Sequence, residues 1–321
     1  MPSPIAVYTD LDDLDPGPGV ALLEAEGFEV RVLETRDPDV IAGAAVDAAA
    51  LLVGYARVDD DLLARLPRLR IVSLLSRGVD SIDVEAATAR GIWVASVGEL
   101  ASAEVATHTW ALALAAVRRL DFFVLHGRRG WLDRPEHAPR RLSEVTLGLV
   151  GLGRIGTKVA ELAAGSVGRI LGHDPAGRAM PAGVTAAPLA DVVAACDLVS
   201  IHLPLDATTR RLFDAELLAS MRRDAWLINV SRGGIVDSAA LADALDAGQL
   251  AGAALDVLDT EPPPAGDRLA EHPNVLLTPH VAYLSDVTAR DYVLTQARNV
   301  VHWHRGGRPL TPVAEPTGVR T

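Results

Sequence analysis

The sequence predicts an α/β protein organised on a doubly wound parallel sheet, and three observations predict it. Short apolar runs alternate with helical patterns along most of the 321 residues, as repeated strand–helix–strand units require. Hydrophobic residues make up 49% of the chain and aromatic residues only 4%. Its core is therefore built from Ala, Val, Leu and Ile, which suits buried parallel strands covered by helices. Third, residues 146–156, TLGLVGLGRIG, run from an apolar segment into a glycine turn and on into a helical pattern.

The first 99 residues read as a small α/β unit with apolar runs at 5–8, 30–33, 50–53, 70–75 and 92–95. The Asp-Pro-Gly-Pro-Gly stretch at 15–19 is loop chemistry, and Asp83 caps a helix over 84–89 that Gly91 ends. A helical pattern over 102–126 carries Val105, Ala106, Trp110, Ala113, Leu114 and Val117 on one apolar face, and it is long enough to bridge two domains. Residues 128–144, rich in Arg, Pro and Gly, read as a loop before the glycine-turn strand. Further strands are expected at 169–173, 198–203, 225–230, 252–257 and 275–277, with helices near 189–195, 215–221 and 237–246. A last helix over 285–305 leads to a short Pro-containing tail.

Composition narrows the partners. A net charge of −12 disfavours nucleic acid and anionic membranes. The single cysteine, Cys196, leaves no intramolecular disulfide and no Cys-cluster metal site, and no metal is expected. The N-terminus lacks a basic segment followed by an apolar one, and no apolar run reaches about 18 residues, so a soluble cytoplasmic chain is expected.

In the glycine turn, Gly151 permits the tight bend, Gly153 lets a pyrophosphate approach the backbone, and Gly156 lets the helix pack against its strand. Arg154 and Ile155 complete the turn, whose free N–H groups and positive dipole end suit a diphosphate. The spacing alone is weak, so context decides. An acid is expected about 20 residues on, to hold the adenosine ribose. Asp174 ends RILGHD, 18 residues after Gly156. A carboxylate about 4 Å from a 2′-phosphate costs about 1 kcal/mol in water and about 4 at an effective dielectric of 20, which favours NAD over NADP. Arg178 lies near enough in sequence to blunt that preference.

Hydride transfer to a 2-oxo acid needs a cation for the carboxylate, a proton donor for the carbonyl oxygen and a partner that tunes the donor. Arg232 in NVSRGG, His280 in LLTPHVAY and Glu261 in DVLDTEPPP meet these needs, each just past a strand-like run. Arg232 binds a carboxylate bidentately. His280 passes the proton, an effect worth about 10² to 10⁴ in rate. Glu261 bonds the other ring nitrogen and raises its basicity. His126, His137, His173, His202, His272, His302 and His304 lack such company and read as structural or solvated.

These segments, with SRGVDSIDVEAATARGI, IHLPLDATTRRL, AGAALDVLDTEP and HPNVLLTPH, resemble the NAD-dependent D-isomer-specific 2-hydroxyacid dehydrogenases over residues 51–309. The 29-residue interval from Arg232 to Glu261 and the 19-residue interval from Glu261 to His280 are similar to that family's spacing. The resemblance implies a Rossmann-type nucleotide domain at 100–283 and a smaller flavodoxin-like substrate domain at 1–99 and 284–321. It gives Arg232, Glu261 and His280 the roles argued above. It places Asp256 at the nicotinamide carboxamide, Pro204 beside the cofactor, and the backbone of Ser76, Arg77, Gly78 and Val79 at the substrate carboxylate. It also implies a homodimer held through the long helix.

Departures from the family pattern bear on substrate. Arg77 stands where a small or apolar residue is usual, and Ser76 replaces a glycine. Arg77 either reads a second anionic group, such as a carboxylate, phosphate or phosphonate, or points to solvent or pairs with a nearby Asp. Tyr55 and Tyr283 either line the pocket or pack. Thr107 replaces the glutamate often found before the helix histidine, here His108. The expected activity is NAD(H)-dependent interconversion of a D-2-hydroxy acid and a 2-oxo acid. The alternatives are an NADH-sensing protein related to co-repressors and a phosphite- or phosphonate-acting dehydrogenase. A formate-oxidising relative would not need Glu261.

Overall fold

The computed structural model describes residues 3–11, 14–128 and 138–317. The chain forms two compact units, Met1–Leu100 with Ser285–Thr321, and Ala101–Leu284. The predicted α/β class holds in both.

The first unit opens with β1 (Ile5–Tyr8), α1 (Gly17–Ala25), β2 (Glu29–Val32), α2 (Pro38–Ala45) and β3 (Ala50–Val53). It continues with α3 (Asp60–Ala64), β4 (Ile71–Leu74), α4 (Val84–Ala89) and β5 (Trp93–Ala95). Three helices start at aspartate caps: Asp37 accepts the Asp39 and Val40 amides, Asp59 that of Leu62, and Asp83 that of Ala86. The 15–19 stretch is not all loop, because α1 begins at Gly17. Pro18 sits in its first turn, where a missing N–H goes unnoticed, and Asp15 accepts the Gly17 amide at 2.8 Å.

The second unit begins with α5 (Ser102–Arg118) and α6 (Leu120–Gly127). The single helix expected over 102–126 is thus broken at Arg119, whose φ is +51°. The buried Arg119 guanidinium stacks 5.4 Å from the Trp226 ring centre and bonds Asp121, contacts invisible to a helical pattern. Residues 129–137 of the following loop, His137 among them, lie outside the described residues.

Next come β6 (Thr146–Val150), α7 (Arg154–Ala163), β7 (Arg169–His173), β8 (Val184–Ala186), α8 (Leu189–Ala195) and β9 (Leu198–Ile201). They are followed by α9 (Ala215–Ala219), β10 (Trp226–Asn229), α10 (Ser238–Asp246), β11 (Gly252–Leu255) and β12 (Val275–Leu277). The seven strands are parallel in the order β12-β11-β10-β9-β6-β7-β8. Alternate side chains feed two cores on opposite faces: Val199, Leu227 and Ala253 enter one, Leu198, Ile228 and Ala254 the other. Strand order reverses between β6 and β9, and in such sheets ligands bind beyond the carboxyl ends at that switch point.

The chain then returns to the first unit through α11 (Thr288–Gly306) and β13 (Pro312–Ala314), giving a sheet of order β13-β5-β4-β3-β1-β2. The last helix starts three residues later than expected, after Ser285 and Thr288 have bonded each other reciprocally. β8 (VTA) and the antiparallel β13 (PVA) escaped the sequence reading because, unlike the equally short edge strand β12 (VLL), they are not runs of large apolar residues.

Candidate active site

The glycine turn lies at the switch point, between β6 and α7. Gly151 has φ +97°, and a Cβ there would overlap the His202 carbonyl at the end of β9. At Gly156 a Cβ would overlap the Gly151 carbonyl, so this glycine lets helix and turn close on each other. Gly153 differs, since among the described residues a Cβ there would meet no heavy atom within 4 Å. The first turn of α7 holds no acid and, among the described residues, no side-chain cap. Open space above Gly153 beside uncapped amides fits the diphosphate of a dinucleotide. Arg154 is exposed and Ile155 packs partly into the core, so their backbone rather than a shared side-chain surface faces this turn.

Asp174 directly follows β7, with its carboxylate already engaged. Oδ2 accepts the Leu152 amide at 2.7 Å and Oδ1 the Ala176 amide at 2.9 Å, while Arg178 Nη1 lies 3.2 and 3.1 Å from the two oxygens. Burial opposes its ionisation, but the Leu152 amide, Arg178 and the other amides offset this and hold the carboxyl below its usual range. On the other side of β6, Pro204 is exposed past the end of β9. His202 beside it is structural, its Nε2 2.9 Å from Ser200 Oγ and burial pushing its pKa down to about 4.

The three catalytic candidates follow β10, β11 and β12. Arg232 sits on a turn pinned by Asn229, which sequence reasoning missed. Asn229 is 1% exposed, donates Nδ2–H to the Arg232 carbonyl at 2.9 Å and accepts the Ser231 amide at 3.0 Å. A Cβ at Gly233 would overlap the Leu258 carbonyl, so this turn packs directly on the loop that carries Glu261. Glu261 accepts the Leu258 amide with Oε1 at 2.7 Å, and its Oε2 lies 2.6 Å from His280 Nδ1. Partial burial disfavours its ionisation; the bond and charge of His280, the Leu258 amide and the charge of Arg232 more than offset it and lower its pKa.

His280 has φ +54°, a conformation that β-carbon residues rarely adopt. Asp256, 1% exposed, holds that conformation: its carbonyl accepts the His280 amide at 2.8 Å, and its carboxylate accepts the amides of Val281 at 3.0 Å and Ala282 at 2.9 Å. The sequence reading expected Asp256 at the nicotinamide carboxamide and did not foresee this hold on the backbone. Tyr283 follows, half-buried.

Ser76, Arg77, Gly78 and Tyr55 lie in the other unit, past β4 and β3. Ser76 Oγ donates to the Gly78 carbonyl at 2.7 Å, which closes the loop, and Arg77 Nε lies 2.9 Å from Glu99 Oε1. Tyr55 carries the Arg36 guanidinium 4.9 Å above its ring, and its amide is held by the buried Asp10 at 2.8 Å.

A family model described as D-isomer-specific 2-hydroxyacid dehydrogenase, NAD binding domain, matches residues 110–282. The chain is 37% identical to the glyoxylate reductase of Aeropyrum pernix over 297 residues, 88% of each protein. It is 38% identical to the D-3-phosphoglycerate dehydrogenase of Mycobacterium tuberculosis over 274 residues, 84% of this chain but 51% of that protein, so it spans about half the length of that relative. Among solved structures, the NADPH-dependent glyoxylate/hydroxypyruvate reductase of Sinorhizobium meliloti, in complex with NADP and malonate, superposes with a TM-score of 0.87 at 33% identity, covering 99% of both chains.

Because the Glu261 carboxyl lies below its ordinary value of 4.5 in the folded chain, its pairing stabilises the fold above that value and is lost as pH falls through the lowered one. Thermal unfolding of the wild type and Glu261→Gln is expected to show a gap near neutral pH that closes in acid below 4.5. A gap independent of pH would mean that the lost contribution is not that of an ionised carboxylate.

Proposed function

The chain belongs to the D-isomer-specific 2-hydroxyacid dehydrogenase family of oxidoreductases, and we propose that it interconverts a small D-2-hydroxy acid and its 2-oxo acid with NAD(H). The contact of 2.6 Å between His280 Nδ1 and Glu261 Oε2, with the Arg232 charge acting on the same carboxylate, carries this reading. Residues 101–284 are the proposed nucleotide domain and the other unit the substrate domain.

In this proposal the amides of Gly153, Arg154, Ile155 and Gly156 hold the diphosphate, Asp174 the adenosine ribose, and Pro204 and Asp256 the nicotinamide end. The bound cofactor supplies or takes up the hydride. Arg232 grips the substrate carboxylate. Glu261 takes the Nδ1 proton of His280 into a charge-assisted bond, which leaves Nε2 to deliver a proton to the carbonyl oxygen in reduction and to remove it in oxidation. Ser76, Arg77, Gly78, Tyr55 and Tyr283 are the proposed substrate-side residues. Glyoxylate and hydroxypyruvate lead the candidates, since similar proteins act on them. The single, buried Cys196 accords with a reducing compartment, and a cytoplasmic setting is part of the proposal; no described helix is long and apolar enough to cross a membrane.

With NADH and a panel of glyoxylate, hydroxypyruvate, phenylpyruvate, oxaloacetate and phosphonopyruvate, the wild type is expected to consume cofactor with at least one acid. His280→Ala should lose about 10² to 10⁴ in kcat while its NADH dissociation constant stays within about threefold. Arg232→Ala should chiefly raise KM for the acid. Tight NADH binding without turnover on any acid would favour the sensor reading.

For the cofactor, the Asp174 carboxylate already accepts the amides of Leu152, Ala176 and Arg178 and the Arg178 guanidinium, so ribose binding displaces that guanidinium. Arg178 then lies where it can neutralise Asp174 and admit a 2′-phosphate, which makes the NAD preference partial. Arg178→Ala is expected to lower kcat/KM for NADPH at least about fivefold and to spare NADH; equal effects on both cofactors would refute it.

The proposed homodimer draws on α6, none of whose residues is buried: Leu120, Phe123, Val124 and Leu125 are 47%, 40%, 56% and 46% exposed. Such a face is covered in a stable protein, and a second copy is the proposed cover. Sedimentation should give a dimer that Val124→Asp weakens; a wild-type monomer at micromolar concentration excludes it.

A further inference from the structure

Behind the His280 turn, within the same unit, Asp256 is reached by two side chains that the proposed chemistry does not use, Thr278 and His108. His108, on α5, places Nε2 3.0 Å from Thr278 Oγ1 and 3.6 Å from Asp256 Oδ1. Thr278 Oγ1 in turn lies 2.5 Å from Asp256 Oδ1. Counting protons fixes the directions of these bonds. Both Asp256 oxygens accept backbone amides, from Val281 and Ala282, so the Thr278 hydroxyl donates to Oδ1. A hydroxyl has one proton, so the His108 contact is Nε2–H donating to Thr278 Oγ1.

We propose that His108 is a positioning residue for His280, acting through Thr278 and Asp256. The proposal rests on the reading of His280 as the acid–base group. A carboxylate serves the Val281 and Ala282 amides together in one orientation only, and those two bonds fix the backbone directly after the left-handed His280. The Thr278 hydroxyl gives that orientation a third anchor, and His108 keeps the hydroxyl turned toward Asp256. Since His108 stands on the 17-residue α5, these contacts tie the His280 backbone to a long helix rather than to a loop. Orientation at this level governs rate, because displacing a reacting group by about 1 Å can cost 10²-fold.

The test compares His108→Leu, His108→Gln, Thr278→Val and the double variant His108→Leu/Thr278→Val, using NADH and the 2-oxo acid that the wild type turns over best. His108→Leu is expected to lose about tenfold in kcat, with NADH dissociation constant and thermal midpoint little changed. His108→Gln, whose amide can still donate to Thr278, should recover most of the loss. The double variant should be no slower than the worse single. A Gln variant as slow as Leu, fully additive losses, or a weakened NADH affinity with normal kcat would overturn the proposal. A second readout is independent of turnover. In 15N-histidine-labelled protein, His108 should carry its proton on Nε2, and the ring signals of His280 should shift in both His108→Leu and Thr278→Val. Unmoved His280 signals overturn the positioning role. A wild type that turns over no acid while those signals move sinks the functional reading and leaves the positioning role standing.

Discussion

A parallel sheet delivers its functional side chains on turns just past the strand ends, where backbone amides have left one ladder and joined no other. Left unpaired in a buried setting, each such amide costs about 1 to 3 kcal/mol. Two buried polar side chains meet that constraint here. Asn229, the last residue of β10, ties down the Ser231–Arg232 turn, and Asp256, the first residue after β11, ties down Val281 and Ala282 around His280. The two are linked, because the Asp256 amide donates to the Asn229 carbonyl at 2.9 Å. The guanidinium and the imidazole thus descend from one buried polar seam across adjacent strands.

What was legible in the sequence follows from this division of labour. Gly151 and Gly156 could be read one by one, because each answers a local steric demand that no other residue meets, φ at Gly151 and packing at Gly156, whereas at Gly153 the chain itself imposes no such demand. The Glu261 and His280 pairing was legible too, as a residue interval supported by the chemistry of each type. Asn229 was not, because an asparagine at a strand end looks the same whether it faces solvent or secures a turn. The break at Arg119 was illegible for a related reason. Its left-handed backbone is set by Trp226 and Asp121, one of them far along the chain, whereas the helical pattern continues past it without a Gly or Pro. Likewise α1 could not be separated from its Asp-Pro-Gly-Pro-Gly approach, since the residues that disfavour a helix interior are tolerated in its first turn.

Two acid–cation pairs in the nucleotide-binding unit have similar chemistry and opposite consequences. Glu261 spends one oxygen on Leu258 and the other on His280, so in the proposed role its bond to the imidazole is already made. Asp174 is engaged by the amides of Leu152 and Ala176 and by Arg178, so in the proposed binding mode a ribose has to compete for it. Reading an acid at that position as selecting NAD treats it as an isolated charge. With a guanidinium on the carboxylate, the local charge seen by a 2′-phosphate is near neutral, and the preference depends on where Arg178 goes when it is displaced.

That local balance matters more because the chain as a whole carries a net charge of −12. Both a dinucleotide and a 2-oxo acid are anions, so the long-range field opposes their approach and binding must come from short-range positive groups. In the proposed site the α7 amides, whose first helical turn holds no acid, and Arg232 supply these. Arg77, by contrast, is already paired to Glu99 with more than half its side chain exposed. An anionic group binding at Arg77 would have to displace Glu99 and would meet a solvent-screened charge.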